Sequence, residues 1–107
     1  MMVEQLKQYA TFIWQEIKRD LIYRIQTNDH QVARKLKKRK KAKLVLWGLN
    51  APIWVFQIKY SSPRRAIIGL GNITGEDVEK TAYTGIFVSY TLPYMDTQKV
   101  GEVNETK

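Results

Sequence analysis

Arg34, Lys35, Lys37, Lys38, Arg39, Lys40, Lys41 and Lys43 place eight cations in ten positions, with no acid among them. The chemistry open to such a run is capture of phosphates or another dense array of anions. A block of like charge repels itself, so something negative is expected to lie against it. The chain of 107 residues carries 18 Lys and Arg against 10 Asp and Glu, a formal charge of +8. Removing the eight leaves equal numbers of basic and acidic residues, so the whole excess sits in this segment. Beyond Ala66 the balance reverses: Lys80, Lys99 and Lys107 face Glu76, Asp77, Glu79, Asp96, Glu102 and Glu105. Arg64 and Arg65 form a second, smaller basic pair that extends the track.

Little else in the sequence carries chemistry. There is no cysteine, which removes disulfides, thiolate zinc sites and cysteine nucleophiles. His30 is the sole histidine, so no multi-histidine metal centre or histidine-based triad is expected. The run Gly69-Leu70-Gly71-Asn72-Ile73-Thr74-Gly75 looks like a phosphate loop, but its glycine spacing fits neither the dinucleotide fingerprint nor the P-loop. Glycines ending a strand and opening a turn explain it better. Glu76, Asp77 and Glu79 cluster at what reads as the start of a helical turn, where the helix dipole favours acids without any metal. No pair of groups suited to acid–base work stands out. The expectation is a protein without catalytic residues, metal or cofactor: not an enzyme.

The elements that must position the cations are read from hydrophobic spacing. Leu6, Ala10, Ile13, Ile17, Leu21 and Ile25 recur at near-helical intervals, which predicts a long amphipathic helix over 3–26. Thr27-Asn28-Asp29 then offers capping residues, so the chain either kinks near 27–29 or runs on as one helix. A basic helix or junction follows over 29–43. From there the period changes to two, which predicts strands at about 44–49, 53–60, 65–70 and 82–92. Short loops between them favour an antiparallel meander. The expected fold is α+β: the long helix packed on one face of a four-stranded sheet, a single domain over 1–94, and a flexible polar tail over 95–107.

A helix covers one face of a sheet only. Strands this apolar leave rings on the other, and Trp54, Phe56, Tyr60 and Tyr90 are the expected interface, with a second copy of the chain as the favoured partner. The N-terminal stretch, with Glu4, Lys7 and Glu16 among its apolar residues, does not read as a secretion signal. The most apolar window, Leu44 to Phe56, is too short for a membrane helix, which needs about 20 residues. A cytoplasmic, intracellular setting without stable membrane insertion is expected.

Two functions fit this reading. In the first, Arg34 to Lys43, with Arg64 and Arg65, clamps the phosphate backbone of DNA or RNA with little sequence preference. In the second, the chain is a structural or assembly protein, a homo-oligomer or a component of a larger viral or phage complex, with no catalytic activity.

Overall fold

The computed structural model describes residues 8–17, 19–48 and 51–92. In chain order the elements are β1 (Tyr9–Ile17), β2 (Ile22–Thr27), α1 (His30–Lys37), β3 (Lys43–Trp47), β4 (Trp54–Lys59), α2 (Pro63–Thr74), β5 (Val78–Lys80) and β6 (Phe87–Thr91). The strands form one six-stranded sheet in the order β3-β4-β2-β1-β6-β5, with every neighbouring pair antiparallel. Among the described residues no helix is long and apolar enough to cross a membrane.

The expected long N-terminal helix over 3–26 is overturned, and with it the four-stranded meander. Its described part is the hairpin of β1 and β2, paired from Thr11 opposite Thr27 to Ile17 opposite Ile22. The reason lies in the spacing itself. Ile13, Ile17, Leu21 and Ile25 are four apart, and an interval of four returns to the same side of a strand as well as of a helix. Composition arbitrates: Thr11, Phe12, Ile13, Trp14, Ile22, Tyr23, Ile25 and Thr27 are β-branched or aromatic, types that fit a pleated surface. Alternation within β2 is complete, with Tyr23, Ile25 and Thr27 buried and the residues between them half-buried. Leu21 makes the turn in a left-handed conformation, φ 54°, and its carbonyl accepts from the Tyr60 amide at 3.3 Å.

The strand expected over 65–70 is instead α2. Ser62 caps it by accepting from the Arg65 amide at 3.2 Å, Pro63 occupies the first turn, and Gly75 closes it at φ 77°. Ala66, Leu70, Ile73 and Thr74 are its buried positions, a helical spacing. The expected strand over 82–92 is confined to β6, preceded by the short β5. A basic helix does follow the capping residues, but it ends at Lys37, and the Asp29 carboxylate is its cap, accepting from Gln31 N at 2.9 Å. The expected tail over 95–107 lies outside the described residues.

Both helices lie on one face of the sheet. Val32, Ala33 and Leu36 of α1 and Ala66, Leu70 and Ile73 of α2 pack into one core with Ile13, Tyr23, Ile25, Phe56 and Ile58. A buried polar layer adjoins it. The Thr11 and Thr27 hydroxyls are 2.8 Å apart, those of Thr74 and Ser89 2.7 Å apart, and Thr91 donates to the Asp29 carboxylate at 2.7 Å, tying β6 to the cap of α1.

Candidate functional site

The cationic segment runs from the end of α1, through the α1–β3 connection, into β3. Three of its members sit in the last turn of α1: Arg34, Lys35 and Lys37. Cations there complement the helix dipole, so they need no ligand to account for them. Lys35 has a further structural task. Its ammonium donates to the Ile73 carbonyl at 3.1 Å, giving α2 a cation for a last turn that has no basic residue of its own. Arg34, Lys37 and Lys38 are exposed.

Arg39, Lys40 and Lys41 of the segment, with two cations from elsewhere, converge on an open cavity of about 600 Å³. Arg39, Lys40 and Lys41 enter it from the α1–β3 connection, Lys59 from the end of β4, and Arg65 from the first turn of α2. Ile58, Tyr60, Ser61, Ile68, Gly69 and Asn72 complete the wall, and no carboxylate is among the lining residues. A second cavity, of about 420 Å³, is lined by Ile22, Lys41, Lys43, Gln57, Ile58 and Lys59. Lys41, Ile58 and Lys59 border both, so the two cavities adjoin round the end of β4 as the two parts of a basic trough.

Tyr60 builds the inner wall of the larger cavity. Its ring meets that of Tyr23 edge-on, with centroids 5.8 Å apart. Burial raises the Tyr60 hydroxyl above its ordinary pKa, and the nearby Arg39 guanidinium opposes that shift. The Tyr60 oxygen is buried without a hydrogen-bond partner, as is that of Tyr23. Gly69 permits this arrangement: a Cβ there would lie 2.6 Å from the Tyr60 ring and hydroxyl.

Of the cations singled out in the sequence, Arg39, Lys40, Lys41, Lys43 and Arg65 therefore meet along one trough, and Lys35 is drawn away to α2. Arg64 is exposed beside Arg65 without lining the trough. Asn72 was not foreseen, and Lys59, a cation interleaved with the rings of its strand, was not among the expected phosphate contacts. Lys59 ends an alternating strand beside a Ser-Ser-Pro turn, a signal for a cation held at a sheet corner.

The four rings expected at an interface are distributed differently. Phe56 is 1% exposed in the core, and Trp54 and Tyr60 pack against that core, so all three lie on the helix-covered face. Tyr90 alone is exposed. The most open apolar surface is the edge strand β3, where Leu44, Val45, Leu46 and Trp47 are all exposed, Trp47 at 60%.

The glycine run spans the second half of α2 and its cap, where it forms no phosphate loop. Glu76, Asp77 and Glu79 are exposed, and no metal-binding group of three appears among the described residues. Neither protein-family models, nor curated protein sequences, nor solved structures give a match to this chain.

Proposed function

We propose that the protein binds nucleic acid by its phosphate backbone, with little base discrimination, in an intracellular setting. The observation that carries this reading is the convergence of Arg39, Lys40, Lys41, Lys59 and Arg65 from three separate elements on one cavity free of carboxylates. Cations scattered for solubility have no reason to converge. Among the described residues no carboxylate pairs with these five. Arg65 is the most telling, because it stands in the first turn of α2 with no acid beside it, where the helix dipole disfavours a positive charge. A phosphate in the cavity reverses that penalty, since helix N-termini and guanidinium groups both suit phosphate oxygens.

The test is a binding titration across salt. Five phosphate contacts give a log–log slope of about −4.5 on a duplex, a loss of roughly 500-fold between about 50 and 200 mM salt. Replacing Lys40, Lys41, Lys59 and Arg65 with Gln removes four contacts and flattens the slope by about 3.6. All four residues are exposed, so the fold is expected to survive. An unchanged slope in the quadruple variant, or a flat one in the parent, refutes the reading.

A second reading, self-assembly, is favoured by β3. It is an edge strand whose five residues are all exposed, with four apolar side chains in a row and its outer backbone groups free to pair with another strand. The two readings are compatible, because a basic oligomer can still bind nucleic acid.

A further inference from the structure

We infer that the nucleic acid is single-stranded, and that its bases lie on the sheet face that the helices leave uncovered; this rests on the phosphate-binding reading above. That face is defined by register. Lys43 pairs with Gln57, Gln57 with Arg24, and Arg24 with Trp14, so one row runs cation, amide, cation, ring across β3, β4, β2 and β1. At about 4.8 Å per strand the row spans roughly 14 Å. The neighbouring row carries Val55, Gln26 and Phe12, of which Val55 is buried and Gln26 and Phe12 are half-buried, so the bases would lie chiefly on the first row. Rings interleaved with amides and cations are what successive bases use: aromatic planes to stack on, and planar polar groups for exposed base edges.

The row joins the trough at its β3 end. Lys43 and Gln57 belong both to the row and to the smaller basic cavity, whose Lys41 and Lys59 are shared with the larger one. A backbone held by those lysines thus leads directly onto the sheet. Arg24, in the middle of the row, has its Nε buried and without a hydrogen-bond partner. The half-buried Trp14 is held by its neighbour, its indole N–H donating to the Glu16 carboxylate at 3.0 Å. Among the described residues the face's carboxylates are Glu16, beyond Trp14, and Glu79, on β5 at the opposite sheet edge from Lys43, so the described half nearest the trough is cationic. A duplex, with its bases paired inside, has no use for this row. A splayed single strand does.

The experiment compares a labelled single strand with the duplex of the same sequence by fluorescence anisotropy, using the full chain. The parent is expected to prefer the single strand by tenfold or more. Trp14→Leu should weaken single-strand binding by about 5- to 150-fold, the range expected for losing one stacked base, with duplex binding unchanged. Trp14→Phe, which keeps a ring, should retain most of the affinity. Arg24→Gln provides an independent variant should Trp14→Leu fail to fold, and should lower single-strand affinity selectively. Equal affinity for both forms, or a Trp14→Leu variant that binds single strand normally, overturns the inference and leaves the phosphate reading standing. A dimer that depends on Trp14 in the absence of nucleic acid also overturns it. Failure to bind either form at about 50 mM salt removes both readings.

Discussion

Gly69→Ala is the sharpest probe of how the basic cavity is held open, because two opposing effects of known size meet at one atom. In a helix interior the change from Gly to Ala stabilises by about 0.5–1 kcal/mol through backbone entropy. Here the new methyl would fall 2.6 Å from the Tyr60 ring, and the ring cannot retreat freely because Tyr23 stands against it edge-on. Overpacking of this kind costs about 1–3 kcal/mol. The net expectation is a loss of about 1 kcal/mol, or roughly 4–8 °C in melting temperature for a domain near this size. The clash is isolated by a double-mutant cycle with Tyr60→Leu, measured by urea unfolding. With the ring gone, the same Gly69→Ala change should stabilise by the propensity gain, so the two substitutions should couple by about 1–3 kcal/mol. If Gly69→Ala costs as much in the Tyr60→Leu background as in the parent, the cavity wall is not built by this contact.

Two further outcomes follow from the same geometry. Tyr23→Phe removes a hydroxyl that is buried and unpartnered, so the variant should be as stable as the parent at neutral pH, or more stable by up to about 1 kcal/mol. Burial raises the Tyr23 pKa above its ordinary 10.0, so its contribution is full below about pH 10 and lost as pH rises through the folded-state value. Alkaline unfolding should therefore be milder in the variant, and a destabilisation above 1 kcal/mol at pH 7 would refute the assignment. Val45→Lys places a charge in the middle of the exposed β3 edge. Under the self-assembly reading it should convert an oligomer to monomer in sedimentation at high salt, whereas an oligomer that survives the change excludes that edge.

The charge of this protein was legible from sequence and its architecture was not, for a physical reason. Eight cations within ten positions are a fact of composition that no folding rearranges. The faces of the N-terminal segment depend on a period, and Ile13, Ile17, Leu21 and Ile25 satisfy the helix and the strand alike. The better witnesses were the β-branched and aromatic residues between them. For α2 the helical evidence was present in Ser62, Pro63 and the spacing of Ala66, Leu70 and Ile73, but a short apolar run after a turn reads equally as a strand. The same error moved the expected interface. Trp54, Phe56 and Tyr60 alternate as a strand face should, yet two helices, rather than one, lie on that side and cover them. On the face the helices leave free, Tyr90 was anticipated, whereas the half-buried Phe12 and Trp14 were hidden inside the supposed helix.

What the fold adds is a division of the cations that sequence could not make. Arg34, Lys35 and Lys37 are accounted for by α1 and α2: they sit where helix carbonyls are unpaired, and one of them donates to such a carbonyl. A helix-dipole argument would retain these three even in a protein that bound nothing. It would not retain Arg65 at the start of α2, nor bring Lys59 from β4 against Lys40 and Lys41. Mutual repulsion makes that grouping unfavourable for the isolated chain, and neutralising it should raise stability slightly while abolishing any anion contact. Stability and binding should thus move in opposite directions for these residues, whereas neutralising Lys35 should lower stability and leave binding unchanged, which separates cations that serve the fold from cations that serve a ligand.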